Sequence, residues 1–151
     1  MKRLMLGLVI ATQALACTSG LHIDAPDGFA ELEEQVRYTY RATNAKGVVL
    51  GVRREDNEPQ ADLAFWSGAL DAHLRRRGYE AISARDVATK DGVEGRQIRY
   101  ERKHQGRQHH YWVTVFVTPD QVVTVEAGGD EAFFEEEKKA IQNTIESLEL
   151  G

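Results

Sequence analysis

Hydrophobic and polar positions alternate along much of the chain, and a period of two residues is typical of β-strands with one buried face. The first half of the sequence predicts a strand at residues 36–42, a turn at 44–47, a strand at 48–52 and a charged loop at 53–59. A further strand lies within residues 79–87 and ends before a turn at Asp91-Gly92, where glycine permits a positive φ.

The longest alternation lies in the second half of the chain and predicts three antiparallel strands with a common apolar face. A two-residue loop at Gln105-Gly106 places four chemically compatible pairs opposite each other: Ile98 with Val113, Arg99 with Trp112, Tyr100 with Tyr111, and Glu101 with His110. A second turn at residues 119–121 sets Val117 opposite Val123 and Val115 opposite Val125.

Two segments repeat their hydrophobic residues at helical spacing. Residues 60–77 predict a helix that ends at Gly78, with three arginines in a last turn that favours cations. Its apolar face consists of Leu63, Trp66, Leu70 and Leu74. Residues 130–150 predict a longer helix with the stripe Phe133, Phe134, Glu137, Ala140, Ile141, Thr144, Ile145 and Leu148.

The predicted order of elements, β-β-α-β-β-β-β-α, is typical of an α+β domain in which helices pack on an antiparallel sheet. We expect about six strands and two main helices in a single domain over residues 25–151. Trp112 and Phe116 lie on the strand face opposite to that of Tyr111 and Val113. Such large aromatic residues need cover, either from the second helix or from a partner.

The first 16 residues have the layout of a secretory signal peptide. Lys2 and Arg3 form the positive region, an apolar run from Leu4 to Ala11 follows, and small residues come next. The apolar run is well short of the roughly 20 residues that a transmembrane helix needs. We therefore expect residues 1–16 to direct export and to be removed.

Cys17 is the only cysteine in the chain and directly follows Ala14-Leu15-Ala16. That tripeptide suits ordinary signal peptidase, and with Cys17 it also resembles a bacterial lipobox in which the leucine and the small residue are swapped. A lone thiol in an oxidising compartment invites intermolecular disulfides, and lipidation removes that problem. We predict a lipidated Cys17, a tether over residues 17–24 and a domain that faces the periplasm; the alternative is a secreted or soluble periplasmic protein.

Composition narrows the classes of function. Removal of residues 1–16 leaves 135 residues, enough for one hydrophobic core. The removed segment holds two basic and no acidic residues, so the formal net charge changes from −5 to −7. We expect no binding of nucleic acid, because phosphate contacts need an excess of lysine and arginine.

The sequence contains no recognisable catalytic or cofactor motif: no G-x-S-x-G elbow, no P-loop, no G-x-G-x-x-G, no H-E-x-x-H and no complete calcium loop. His104, His109 and His110 cluster around one hairpin turn. However, His109 and His110 are adjacent on a strand and point to opposite faces, so they cannot both bind one metal ion. We predict no enzyme activity, no cofactor and no metal site.

The same hairpin is basic within an otherwise acidic domain, with Glu101 as the only acidic residue between Arg96 and His110. These charges suit an anionic partner, such as lipid headgroups or an acidic protein face, or they protect exposed strands against aggregation. The candidate binding residues in this region are Arg99, Arg102, Lys103, His110, Trp112 and Phe116.

Several turns and strands resemble those of the PsbP/Mog1-like α/β sandwich proteins, including small bacterial lipoproteins of the DcrB and LpqN type. The resemblance rests on Ala25-Pro26-Asp27-Gly28-Phe29 before the first strand, a first hairpin, a helix ending at Gly78-Tyr79, Asp91-Gly92 with Gly95, the strand Tyr111 to Val117, and a last helix ending in Ile-Glu-Ser-Leu. It covers nearly all of residues 24–150 and includes no catalytic motif. It implies a non-enzymatic envelope protein or accessory subunit that acts as an assembly factor or binding module.

Two functional hypotheses follow. In the first, the protein is a membrane-anchored envelope lipoprotein that binds another envelope protein as an interaction or assembly module. In the second, it is a periplasmic protein that binds a small ligand in a pocket between the sheet and the helices, near Trp112. A sheet face with exposed aromatic residues favours the first hypothesis, and a large cavity favours the second.

Overall fold

The computed structural model of the chain describes residues 20–33 and 36–151, so the predicted signal peptide and Cys17 lie outside the described residues. Its elements are β1 (Phe29–Glu31), β2 (Tyr40–Asn44), β3 (Val49–Asp56), α1 (Leu63–Arg76), β4 (Glu80–Ala88), β5 (Glu94–His104), β6 (Arg107–Val117), β7 (Gln121–Asp130) and α2 (Glu131–Ser147). The strands form one antiparallel sheet in the order β1-β2-β3-β7-β6-β5-β4. The predicted α+β fold is confirmed. Neither helix within the described ranges is long and apolar enough to cross a bilayer.

The sheet has seven strands across the described residues, one more than the predicted number of about six. The additional strand is β1, whose three residues pair with β2, Phe29 lying opposite Asn44. Three residues are too few to show an alternating pattern, so only their pairing defines them as a strand. The prediction also placed the start of β2 too early, because this strand begins at Tyr40 rather than at residue 36.

The charged loop predicted at residues 53–59 is wrong in its first half. Strand β3 continues to Asp56, which lies opposite Gln121 of β7. Within this stretch, Arg53 Nη2 lies 2.5 Å from Glu126 Oε1 on the neighbouring strand. Opposite charges on adjacent strands stabilise the pairing, and a strand can therefore run through a polar sequence.

The predicted pairing of β5 with β6 is confirmed in all four pairs, including Glu101 with His110. The loop between these strands has two residues, Gln105 at φ 50° and Gly106 at φ 77°. Positive φ at both loop residues is the requirement of a type I′ turn, whose twist matches that of the strands. This turn fixes which residues share a face along the whole hairpin.

The predicted pairing of β6 with β7 is wrong by one residue. Val123 lies opposite Phe116 rather than opposite the expected Val117. The reason is a tighter turn: the amide of Thr118 donates to the carbonyl of Gln121 at 2.9 Å, which leaves two residues in the loop instead of three. Because a shift of one residue exchanges the faces of a strand, Val123 joins Phe116 in the main core.

Helix α2 covers the sheet face that carries Trp112 and Phe116, so an element of the chain itself supplies the cover that these aromatic residues need. Asp130 caps the helix by accepting a hydrogen bond from the amide of Ala132 at 3.2 Å. The predicted stripe is confirmed, and its buried members are Phe134, Ile141, Thr144, Ile145 and Leu148.

Helix α1 lies on the opposite face, against a smaller cluster that contains Ile98, Tyr100 and Val113. The helix ends as predicted. Gly78 has φ 85°, and the amide of Tyr79 donates to the carbonyl of Leu74 at 3.2 Å, which is the hydrogen bond of a Schellman motif.

The described part of the predicted tether contacts the domain. His22 and Glu149 exchange two backbone hydrogen bonds of 3.0 and 3.2 Å, and Leu21 and Ile23 pack against the main core. Glu149 also accepts from Lys90 Nζ at 2.6 Å. The N-terminal segment therefore meets the domain at the end of the sheet where β4 turns into β5.

Candidate functional site

An open groove separates α1 from the edge of the sheet. Among the described residues of α1, only Ser67 and Leu74 are buried, so the helix rests on the sheet over part of its length. The groove has a volume of about 750 Å³ and lies between α1, β4 and β5. Apolar side chains from all three elements line it: Leu63 of α1, Ala81 and Ala84 of β4, and Ile98 of β5.

Small residues on both walls keep the groove open. The wall of α1 contains Ala64, Ser67 and Gly68, and the wall of β4 contains Ala81, Ser83 and Ala84. Side chains of this size cannot fill the space between a helix and a sheet, which normally lie about 10 Å apart. The groove is thus a consequence of composition on two elements that are separate in the sequence.

A large apolar residue is exposed in the lining of this groove. Ile82 of β4 is 49% exposed, at a point where the pairing with β5 is interrupted by a bulge. An exposed apolar side chain in a groove is typical of binding surfaces.

The groove also has charged lining residues, and these form polar contacts with each other or with Tyr100. The hydroxyl of Tyr100 donates to Asp71 Oδ1 at 2.8 Å, and Arg75 Nε donates to the same carboxylate. Burial, and then this hydrogen bond, raise the pKa of Tyr100 well above its ordinary value. On the strand side, Arg96 Nη1 lies 2.6 Å from Asp86 Oδ1. Each charge along the groove is paired, and this arrangement suits binding better than acid–base chemistry.

Five of the six predicted binding residues lie on the sheet face under α2, and Arg102 lies on the other face. Trp112 and Phe116 are buried beneath α2, and Arg99 stacks on Trp112 at 3.9 Å from the ring centre. Burial is the main cause that lowers the pKa of Arg99. Arg102 lies over the ring of Tyr79 on the opposite sheet face, at 5.1 Å. The remaining two are Lys103, which is exposed, and His110, which is buried. Roles of these six residues in binding stay predictions.

His110 lies among carboxylates at the start of α2. Its Nδ1 is 3.7 Å from Glu101 Oε1, and its Nε2 is 3.4 Å from Glu135 Oε1 and 3.8 Å from Glu131 Oε1. A hydrogen bond from Lys138 is the main cause that lowers the pKa of Glu135. The other two hairpin histidines, His104 and His109, stack edge to face on the opposite side of the sheet, with ring centres 5.9 Å apart.

Sequence reasoning missed the groove entirely. The pattern of α1 showed an apolar stripe, and such a stripe is normally interpreted as a core face. The available signal was the coincidence of small residues on the same side of α1 and in the following strand, but it requires knowledge that β4 lies beneath the helix. The cover over Trp112, in contrast, was among the alternatives that the sequence indicated.

No known protein family matches the sequence, and no curated protein does. Solved structures do match. LpqN of Mycobacterium tuberculosis, described as involved in cell envelope biogenesis, superposes with a TM-score of 0.67 at 14% identity, over 85% of this chain and 82% of LpqN. PsbP (CyanoP) of Synechocystis sp. PCC 6803 gives a TM-score of 0.60 at 12% identity, over 95% of this chain and 98% of PsbP.

A third match is PA94 of Pseudomonas aeruginosa, a protein of unknown function, with a TM-score of 0.58 at 13% identity over 98% of this chain and 94% of PA94. The chain therefore has the PsbP/Mog1-like fold, as the turns and strands of the sequence predicted. Identities this low establish the fold alone.

Proposed function

We propose that this protein is a lipid-anchored component of the bacterial cell envelope that acts without catalysis and binds an extended segment of another envelope protein in the groove of α1, β4 and β5. The observation that carries the proposal is the position of the groove next to an unpaired strand edge. Strand β4 has nine residues and stands at the end of the sheet, where the described residues pair it with β5 alone.

A free strand edge can accept another strand. The outer backbone amides and carbonyls of β4 are available for the hydrogen bonds of an added strand, and such bonds give affinity that does not depend on the partner's sequence. Alternate side chains of the added strand would then enter the groove, where Leu63, Ala84 and Ile98 offer apolar contact. We infer that the partner segment is extended and carries small or medium apolar residues at every second position.

The envelope location rests on two observations. The first 17 residues have the layout of an exported lipoprotein, with Cys17 at the cleavage point. The similar structure of LpqN is described as a protein of cell envelope biogenesis. Both observations favour an interaction or assembly role at the membrane surface, which the resemblance to small bacterial lipoproteins also implies.

A small apolar ligand in the same groove is the second candidate function. The volume of about 750 Å³ is within the range of roughly 300–1,000 Å³ that is usual for ligand pockets. Such pockets bury most of the surface of their ligand, whereas this groove is open along the edge of β4. The open side is the reason to favour a polypeptide segment.

Photo-crosslinking in the native host tests the groove. A crosslinking residue at position 83, in the lining of β4, is expected to capture one envelope protein through a segment that mass spectrometry can map. The same residue at position 139, on α2, is the matched control, because α2 covers the other face of the sheet.

Blocking the groove identifies the occupant. A Cβ at Gly68 would meet no atom within 4 Å, so a side chain can begin at this position without a shift of its neighbours. Gly68→Trp is therefore the variant designed to fill the groove, and Lys139→Trp serves as the control. The proposal requires that Gly68→Trp abolish the crosslink at position 83 and that Lys139→Trp leave it unchanged. A small molecule that native mass spectrometry finds on the wild type and not on Gly68→Trp would decide for the second candidate. A crosslink that Gly68→Trp does not affect would overturn both.

The anchor has its own test. Intact mass spectrometry of the protein from the membrane fraction is expected to show residues 17–151 plus a diacylglyceryl group and an acyl chain. The unmodified mass in the soluble fraction would exclude the anchor. Such a result would leave the groove experiment unaffected, because the groove lies wholly within the described domain.

A further inference from the structure

A buried histidine lacks a hydrogen-bond partner where the β5–β6 hairpin meets the start of α2. The side chain of His110 is 8% exposed, and its Nδ1 is buried without a hydrogen bond to any described residue. Burial of an unpartnered polar group is unfavourable, so such an atom in a well-packed region calls for a ligand. This site lies on the α2 face of the sheet, away from the groove, and is independent of the proposed function.

Three carboxylates lie 3.4–3.8 Å from this imidazole, one beside Nδ1 and two beside Nε2. They come from Glu101 on β5, at 3.7 Å, and from Glu131 and Glu135 on α2, at 3.8 and 3.4 Å. One ligand atom each from Glu101, His110 and Glu131 can be chosen so that all three lie within 4.8 Å of one another. A tetrahedral zinc ion with ligands at about 2.0–2.2 Å separates them by about 3.3–3.5 Å. The cluster is therefore close to the size of a metal site.

The two carboxylates that α2 contributes to this cluster are half-exposed, and Glu135 is also paired with Lys138. Glu131 and Glu135 are 52% and 46% exposed in the first two turns of α2, and a rotation about their side-chain bonds brings the oxygens closer. Glu101 is held in place, because Gln108 Nε2 donates to its Oε2 at 2.9 Å. A fixed ligand supported by a neighbouring hydrogen bond is common in metal sites.

Charge also favours a cation at this position. With a neutral imidazole, three carboxylates converge on a buried ring, and the cation paired with them in the described structure is Lys138, on Glu135. Repulsion between carboxylates this close is offset by a divalent ion. A single imidazole nitrogen with carboxylate oxygens suits Zn²⁺ better than Mg²⁺ or Ca²⁺, which take oxygen ligands alone.

We propose that Glu101, His110 and Glu131 form a Zn²⁺ site, beside the carboxylate of Glu135, that joins the start of α2 to the β5–β6 hairpin. The sequence did not indicate it, because the two α2 residues are more than 20 positions from His110. The predicted absence of a metal site considered the hairpin histidines together, and His104 and His109 indeed lie on the other face.

Calorimetric titration of the full-length protein with ZnCl₂, together with the absorption spectrum after Co²⁺ replaces Zn²⁺, tests the site. The wild type is expected to bind one ion per chain, with the intense visible bands of a low-coordinate Co²⁺ ion. His110→Gln should abolish these bands. Glu131→Gln should weaken binding by about tenfold or more, by comparison with the 10- to 100-fold effect of lost supporting residues.

Two double variants distinguish loss of the site from loss of folding and from binding at the other hairpin histidines. If His110→Gln does not fold, the double variant Glu131→Gln/Glu135→Gln removes the exposed ligand Glu131 and the carboxylate beside it. Zn²⁺ should then no longer raise the Tm of this variant as it raises that of the wild type. The double variant His104→Gln/His109→Gln should bind as the wild type does. Loss of binding in this second variant would assign the ion to the exposed hairpin histidines and overturn the proposal. The same conclusion follows if the wild type binds no Zn²⁺ at millimolar concentration.

Discussion

The two faces of the sheet are covered by one helix each, yet the two helices pack in different ways. Beneath α2 lies the larger apolar core, in which the side chains of Phe134 and Ile141 are fully buried. Two polar side chains on this face, Gln97 and Thr114, are fully buried as well and form a hydrogen bond of 3.2 Å with each other. Beneath α1 a tyrosine hydroxyl donates to a carboxylate, Tyr100 to Asp71, and a groove of about 750 Å³ remains open.

If the proposed function holds, this difference separates stability from binding within one small domain. The α2 face provides most of the buried apolar area and therefore most of the free energy of folding. The α1 face leaves apolar surface and a strand edge uncovered, so it is the face at which a partner gains the most from contact. Substitutions on the two faces should accordingly have different consequences.

The largest expected difference is in the free energy of unfolding lost when one apolar residue on each face is replaced by alanine. Phe134→Ala removes a fully buried ring that stacks edge to face on Trp112 at 5.0 Å, and should lower the free energy of unfolding by about 3–5 kcal/mol. Leu63→Ala removes a half-buried side chain beside the groove and should cost about 1 kcal/mol. Urea unfolding of both variants measures this contrast, and equal losses would contradict it.

Replacement of two glycines by alanine should change the free energy of unfolding in opposite directions. A Cβ at Gly95, on the α2 face, would overlap the ring of Phe116 and lie 2.8 Å from the carbonyl of Val115, so Gly95→Ala should destabilise by about 1–3 kcal/mol. A Cβ at Gly68, in α1, meets nothing within 4 Å, and Gly68→Ala should stabilise by about 0.5–1 kcal/mol because alanine is the better helix former. Thermal unfolding of both variants tests the two signs, and a stabilised Gly95→Ala would show that this face is less tightly packed than the structure indicates.

Tyr100, which lies beneath α1, should make the free energy of unfolding fall at alkaline pH. Burial, and then the bond to Asp71, raise the pKa of Tyr100 above that in the unfolded chain, which is about 10. Its contribution is therefore complete below pH 10 and is lost as the pH rises above that value, by about 1.4 kcal/mol per pH unit. Tyr100→Phe should show a shallower decline above pH 10 in urea unfolding. Parallel profiles for the variant and the wild type would refute this role.

The smallest change in stability is expected at an exposed aspartate in the β4–β5 turn. Asp91 forms hydrogen bonds with the residues that follow α2. Asp91 accepts hydrogen bonds from the hydroxyl of Thr89 at 2.6 Å and from the amides of Leu150 and Gly151 at 2.9 and 3.3 Å. The bond from Thr89 is the main cause that lowers the pKa of Asp91. Its stabilisation is present above the unfolded pKa of about 3.9 and disappears as the pH falls through the lower folded value. Asp91→Asn should thus be less stable than the wild type at pH 7 and equal to it in strong acid.

Local chemistry explains which parts of the fold could be predicted. The Gln105-Gly106 turn has a single favourable geometry, so the register of β5 and β6 followed from the sequence pair by pair. The turn at Pro119-Asp120 admits loops of two or three residues, and the pattern of valines on both sides of β7 did not distinguish them. Strand β1 was missed because only its contact with β2 makes it a strand.

The candidate sites depend on contacts between distant segments and were therefore less accessible. The pairing of Glu101 with His110 was predicted, but the approach of Glu131 and Glu135 depends on the position of α2 over the sheet. The groove depends on small residues that face each other from α1 and β4. Hydrophobic periodicity indicates which face of an element is buried, and it contains no information on how closely two elements approach.

Under the proposed lipid anchor, the pairing of His22 with Glu149 limits how far the domain can extend from a membrane. If Cys17 carries the lipid, the four residues to Leu21 span at most about 14 Å before the chain meets the domain beside Lys90. Strand β5 begins near this point and is about 33 Å long, so the basic hairpin is at its far end. The hairpin can then lie about 45 Å from the bilayer. At physiological ionic strength the charges of lipid headgroups are screened within roughly 8–10 Å, so they do not reach the hairpin. Its arginines and lysine would meet proteins that extend into the periplasm, while the membrane itself would meet the opposite end of the sheet.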